Sequence, residues 1–300
     1  MRIMLTGASG YLGRVLWARL AQEHEVTALG FAQAGPAMAS VDVRDAAAFA
    51  AVVRRTGPEL VIHCAAYRDP DACGRDAVET RRLNVQPVRT LMDTLPAAAS
   101  VFLISSDYVF DGERAPYREG DARRPVNVYG QSKLEAEDVV LERDSSLVLR
   151  MPLLIGPGPS FASSGLIAKL AQALLDGTPR EVDDEGVRFP TDIRDVAEAV
   201  AFLLAQRATG VFHYSSSVGR SQYAWACRLA DRMGRDAGVF VPVHAPQGRV
   251  ARRPHDCQLD TTRIRALGFR RETPFEAVAD QVLALRASAS TDAAGGGSGD

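Results

Sequence analysis

The run Tyr129-Gly130-Gln131-Ser132-Lys133 sets a phenol and an ammonium four residues apart. On a helix, positions i and i+4 share a face, so both groups can enter one cleft. A free phenol titrates near 10, too high for easy proton exchange at neutral pH. A neighbouring ammonium, or the positive ring of an oxidised nicotinamide, would favour the phenolate and lower that value. Asn127 stands just ahead of this helix and can cap it. The hydroxyl of Ser106, at the end of an apolar run, can hold a carbonyl oxygen while Tyr129 delivers the proton. Asn84 can support a water-linked relay to Lys133, or can bond neighbouring backbone.

A second set lies at the start of the chain. Gly7-Ala8-Ser9-Gly10-Tyr11-Leu12-Gly13 is a G-x-x-G-x-x-G pattern between an apolar run and a helix-like stretch. Gly7 allows the tight turn, Gly10 lets the backbone approach a pyrophosphate, and Gly13 allows close packing of helix on strand. The helix N-terminus then presents unpaired N–H groups to phosphates, with Ser9, Tyr11, Leu12 and Arg14 around them. NAD sites of this kind carry a carboxylate roughly 20 residues further on, at the second strand's end. Here that stretch is Leu29-Gly30-Phe31-Ala32-Gln33, without an acid. Its absence permits a 2′-phosphate, and Arg14 can supply positive charge. The expected cofactor is NADP, with NAD as the alternative. Asp42 and Val43 are placed to meet the adenine edge, and Cys64, Ala65 and Ala66 to line the ribose. Tyr67 and Arg68 stand where substrate should enter. Arg68 can bind a diphosphate or be an ordinary surface arginine.

The elements that must position these groups alternate. Apolar runs at 2–6, 25–29, 60–64, 101–105 and 147–151 are separated by helix-like stretches at 11–22, 46–56, 77–95 and 128–142. That order predicts right-handed βαβ units and an α/β, Rossmann-type doubly wound parallel sheet, with ligands at the strands' carboxyl ends. Beyond Pro152 the pattern loosens, with helices expected at 165–176, 192–206, 222–233 and 274–286 and strands at 210–214 and 238–243. The expected organisation is a Rossmann domain over 1–151 with 190–215 returning to it. A smaller discontinuous substrate domain takes 152–189 and 216–286, and 287–300 form a disordered tail. Trp225 and Tyr223 fall on an amphipathic helix and read as core.

Lys+Arg number 35 against 37 Asp+Glu, a net charge of -2, which argues against nucleic acid as the main partner. Cys64, Cys73, Cys227 and Cys257 form no C-x-x-C pair and read as reduced thiols. The histidines are scattered, so no metal is expected. No run reaches membrane-spanning length, and Met1-Arg2 leads directly into a short apolar run, so a cytoplasmic protein with a small-molecule substrate is expected. A homodimer is compatible with the sequence.

Ser105-Ser106-Asp107-Tyr108-Val109-Phe110-Asp111-Gly112, then Pro116-Tyr117-Arg118-Glu119, then Pro125-Val126-Asn127-Val128-Tyr129-Gly130-Gln131-Ser132-Lys133 resemble the dTDP-4-dehydrorhamnose reductase family. That family typically reads S-T-D-Y-V-F-D-G, P-Y-x-E and P-x-N-x-Y-G-x-(S/T)-K. The likeness extends to Arg253-Pro254, Gln258-Leu259-Asp260 and Thr262. It implies an extended short-chain reductase acting on a nucleotide-linked 4-keto sugar with NAD(P)H. The catalytic residues it implies are Ser106, Tyr129 and Lys133, and Tyr108 and Arg253 join Tyr67 and Arg68 on the substrate side. Other features are similar to the regulatory beta subunit of methionine adenosyltransferase, a binding partner of a synthetase that keeps the NADP fold and the Tyr–Lys pair. These are Ser105-Ser106, Arg188-Phe189-Pro190-Thr191 and Gly210-Val211-Phe212-His213-Tyr214. The sugar reductases carry an aromatic residue after the sixth strand, where this chain has Arg150-Met151-Pro152-Leu153-Leu154. Three functions therefore stand: a carbonyl reductase, a regulatory NADP-binding subunit, and an epimerase or dehydratase using the same hydride chemistry.

Overall fold

The computed structural model describes residues 1–32 and 34–295, which fall into two compact units. The first comprises Met1–Pro152, Val196–Ser215 and Arg249–Arg270. Its strands are β1 (Arg2–Thr6), β2 (Glu25–Gly30), β3 (Ala39–Ser40), β4 (Leu60–His63), β5 (Ser100–Ile104) and β6 (Leu147–Arg150), with a seventh at Gly210–His213. All pair in parallel in the order seventh, β6, β5, β4, β1, β2, β3. The order reverses between β1 and β4, and both strands end at the expected ligand site. Every residue of β4 and β6 is buried, as expected of parallel strands covered on both faces.

The helices follow their caps. α1 (Gly13–Leu20) opens directly from the glycine turn. In α2 (Ala46–Thr56) the Asp45 carboxylate accepts from the Ala48 N–H, and Gly57 ends the helix in the left-handed region. The helix expected over 77–95 is two, α4 (Ala77–Asn84) and α5 (Gln86–Thr94). Pro87 has no N–H to give the preceding turn, so the chain restarts there. A short α3 (Pro70–Arg75), capped by Asp69, precedes them. In α6 (Val128–Val140) the Asn127 side chain accepts from the Gly130 N–H at 2.8 Å, the expected cap. Met4, Phe49, Val61, Leu91, Val101 and Val140 are among the buried residues where helices meet the sheet.

Arg249–Arg270 pack with this first unit, whereas they were expected in the substrate domain. The Tyr117 N–H donates to the Gln258 carbonyl at 2.8 Å and the Asp260 N–H to the Tyr117 carbonyl at 2.7 Å. Cys257 and Leu259 are buried against Phe110 and Tyr117.

The second unit comprises Leu153–Asp195, Ser216–Gly248 and the described residues from 271 onward, so the stretch expected to return to the first unit at 190 does so at Val196. Helices at Gly165–Asp176, Gln222–Met233 and Phe275–Gly295 bury Ile167, Leu170, Trp225, Leu229 and Val278 together. The Trp225 indole N–H donates to the Arg188 carbonyl at 3.0 Å, which suits a core position for a ring with one polar atom. The last helix runs to Gly295, past the expected end at 286. The remaining tail residues, 296–300, lie outside the described residues. Among the described residues, no helix is long and apolar enough to cross a membrane.

Candidate functional site

The glycine turn closes on β4. Gly7 has φ +68°, and a Cβ there would lie 2.7 Å from the Ala65 nitrogen. A Cβ on Gly13 would sit 2.0 Å from the Gly7 carbonyl oxygen. The Gly10 N–H donates back to the Gly7 carbonyl at 2.9 Å. Thr6 ties the two strand ends together: its hydroxyl meets His63 Nδ1 at 2.9 Å and accepts from the N–H groups of Cys64 and Ala65. His63 is buried with Nε2 unpaired, and burial, aided by Lys133, pushes its pKa down to about 3. A neutral imidazole therefore lies under the cradle. A backbone surface bare of side chains at the head of a helix fits a dinucleotide pyrophosphate.

Where the adenosine end is expected, Phe31 follows β2 and is 53% exposed. The Arg44 guanidinium lies 5.7 Å from its ring. Arg44 also chelates the Asp42 carboxylate through Nε and Nη2 and pairs with Glu79. Its hydrogen bonds hold the Asp42 carboxyl below the usual range, with lesser help from charge. Asp42, expected at the adenine edge, is thus bound to an arginine the sequence reading passed over. Val43 is buried beside it. Arg14 lies over the Tyr11 ring at 5.0 Å and Arg68 over the same ring at 5.8 Å.

The proton-transfer candidates meet where β5 and α6 pack together. Gly130 makes this approach possible, because a Cβ there would sit 2.1 Å from the Tyr108 carbonyl oxygen. Ser106 hydrogen-bonds the Tyr129 side chain, donates to Asp107 at 3.0 Å and accepts from the Tyr108 N–H at 3.2 Å. The rings of Tyr108 and Tyr129 meet edge to face at 5.9 Å. Lys133 is 3% exposed and its ammonium donates to the Ile104 carbonyl at 2.7 Å. Burial pulls its pKa down to about 8, against an opposing pull from Glu137 and a weaker one from Cys64. Burial likewise pushes the Cys64 thiol up to about 11.

The phenol behaves differently from the expectation. Burial raises the Tyr129 pKa, and the Asp107 charge adds to this, while the Ser106 hydrogen bond opposes it. The protein alone therefore keeps Tyr129 protonated, because burial disfavours the phenolate and the Lys133 ammonium donates to the Ile104 carbonyl.

Two other expected residues have different partners. Asn84 accepts from the Tyr67 N–H at 2.7 Å and donates to the Tyr67 carbonyl and to Ser132. It fixes the start of the loop after β4. Arg253 is paired in both arms with Asp71, which also accepts from the N–H groups of Val250 and Ala251. This ion pair holds Asp71 well below the ordinary carboxyl range and staples the 249–253 segment to α3. Arg68 makes no ion pair among the described residues, and Tyr67 is 37% exposed. Behind the centre, Ser105, Glu137, Arg150 and His213 form a buried polar chain that the sequence reading missed. Glu137 was within reach, since it lies four residues after Lys133 on the same helix.

Comparison with known proteins places this arrangement. Residues 1–287 match the RmlD substrate binding domain. The chain belongs to that family. This RmlD-family chain is 33% identical over 282 residues to methionine adenosyltransferase 2 subunit beta of Bos taurus, covering 91% of the chain and 84% of the cow protein. It is 32% identical over 280 residues to dTDP-4-dehydrorhamnose reductase of Streptomyces griseus, covering 89% and 88%. A solved structure, the hypothetical dTDP-4-dehydrorhamnose reductase of Sulfolobus tokodaii, matches with a TM-score of 0.83 at 28% identity, over 91% of this chain and 98% of that one. Both expected likenesses, to the sugar reductases and to the beta subunit, therefore stand, as does the Rossmann-type fold. Solved neighbours of this fold include complexes with NADP and with NAD. The RmlD-family fold is one that binds nicotinamide dinucleotides.

Proposed function

We propose that this chain is a nicotinamide-dinucleotide-binding regulatory subunit, preferring NADP, that serves a partner enzyme of the methionine adenosyltransferase kind. The observation that carries the reading is the commitment of Arg253 to Asp71 and to its own loop. A guanidinium held on both arms by a carboxylate is poorly placed to recognise a substrate. Two further features support the reading: Asn84 is bound to the Tyr67 backbone, and the run Met151-Pro152-Leu153-Leu154 directly after Arg150 holds no aromatic residue. The glycine cradle and Lys133, which a dinucleotide requires, are intact. The test pairs this chain with the methionine adenosyltransferase of its own organism. A stable complex by sedimentation, NADPH binding by calorimetry and no loss of NADPH absorbance with 4-keto-6-deoxy nucleotide sugars are expected. Absence of a complex together with NADPH consumption would overturn the reading.

One observation favours a second reading, a reductase of such a sugar. Ser106, Tyr129 and Lys133 are all present and gathered at one strand-to-helix junction. The nicotinamide, when bound, supplies a hydride. The Ser106 hydroxyl would orient the carbonyl oxygen, Tyr129 would give it a proton, and Lys133 would hold the cofactor ribose and favour the phenolate left behind. Under this reading Tyr129→Phe retains NADPH binding and lowers reduction by about 10²–10⁴-fold.

A further inference from the structure

Lys133 is one of two lysines among 35 basic residues, and it is buried. A buried ammonium tends to lose its proton unless an opposite charge holds it. Lys133 feels the charges of His63 and Cys64 from the β4 end and of Glu137 from its own helix, and its ammonium donates to the Ile104 carbonyl on β5. Of these, only Glu137 carries a negative charge at neutral pH, since burial holds the Cys64 thiol up at about 11. It lies one turn further along α6 and is 0% exposed.

The carboxylate is fixed from three directions. Arg150, on β6 and 2% exposed, donates from Nη2 at 2.8 Å and from Nε at 3.0 Å. Arg123 donates from its loop at 3.2 Å, and the Ser105 hydroxyl donates at 2.5 Å. Arg150 is itself held by the Glu119 carbonyl and His213. Ser105 joins Ile104, whose carbonyl accepts from Lys133, to Ser106, which bonds Tyr129. One carboxylate thus fixes the β5 end against the helix that carries both other groups.

We propose that Glu137 is a positioning residue that keeps Lys133 charged inside the core, so that the protein can hold a nicotinamide dinucleotide at neutral pH. The purpose rests on the dinucleotide-binding reading above; the effect on Lys133 does not. With only two lysines, protein labelled with ¹³C-lysine gives two side-chain Cε signals, assigned by Lys169→Arg. In wild type the Lys133 signal is expected to titrate near 8. In Glu137→Gln the midpoint should fall by about one pH unit or more, approaching a tenfold loss of the charged form well above the wild-type midpoint. NADPH affinity at pH 8, read by calorimetry, should drop about fivefold with it. If Glu137→Gln does not fold, Glu137→Gln/Arg150→Met removes both buried charges, and a smaller fall is expected. A Lys133 midpoint at the wild-type value in either folded variant would overturn the proposal. A fallen midpoint in a chain that binds no nicotinamide dinucleotide would uphold the effect on Lys133 and count against the dinucleotide reading alone.

Discussion

An ammonium at 133 is a chemical choice in a chain whose other basic residues, apart from Lys169, are all arginine. A guanidinium is larger, planar and more rigid, and cannot reach a single carbonyl at 2.7 Å from a site with 3% exposure without displacing its walls. Lys133→Arg should therefore weaken NADPH binding by roughly tenfold or more despite keeping the charge, an expectation drawn from that geometry. Unchanged affinity by calorimetry would mean that charge alone suffices there. The proposed NADP preference points to two arginines. The sequence pointed to Arg14, but the end of β2, where ribose specificity is set, is where Arg44 meets Phe31. Arg14 instead covers Tyr11. Arg44→Ala is expected to weaken NADPH by about tenfold while leaving NADH within about twofold, as loss of a phosphate contact would. Equal loss for both nucleotides would return the role to Arg14.

Among the elements, two glycines set the approach of helix to sheet. A methyl at Gly13 would meet the Gly7 carbonyl at 2.0 Å, and one at Gly130 would meet the Tyr108 carbonyl at 2.1 Å. Each contact is with backbone, so neither can be relieved by a side-chain rotation. Gly13→Ala and Gly130→Ala should each destabilise the fold by about 1–3 kcal/mol, the usual range for overpacking. Gly13→Ala should abolish dinucleotide binding, while Gly130→Ala should disturb Tyr129 and leave the cradle intact. Denaturant melts with calorimetric titration separate the two. These junctions were legible because glycine spacing and alternating apolar runs are local signals. The segments Arg2–Thr6, Ala46–Thr56, Gly165–Asp176 and Gln222–Met233 fall where patterning and caps put them. Pairings of two residues, such as Leu154–Ile155 with Thr191–Asp192, have too little length to show a period. The Asp71–Arg253 staple joins residues 182 apart, and nothing local in the sequence announces it.

At the scale of the whole molecule, the first unit carries two imidazoles in its parallel sheet, His63 at the end of β4 and His213 at the end of the seventh strand. Both are buried and each is placed near a cation, Lys133 for His63 and Arg150 for His213. Burial first, and the neighbouring cation second, pushes both down from 6.5 to about 3. The sign of the linkage follows. In the unfolded chain each imidazole takes a proton below about 6.5, while in the folded chain it stays neutral until pH approaches 3. The unfolded state therefore binds more protons across that window. The stabilisation is fully present above 6.5 and is lost progressively as pH falls towards 3. By pH 5, before most carboxylates titrate, the loss is on the order of 2 kcal/mol per histidine. Urea melts at intervals from pH 8 to pH 5 should show stability falling below 6.5. Cofactor binding should not be needed to see it, because both rings are buried in the protein alone. A neutral replacement at either position, His63→Asn or His213→Asn, should lower stability at pH 8 and flatten the acid limb by about half. A wild-type curve flat between pH 7 and 5 would show that one or both rings are protonated, or solvated, in the folded sheet.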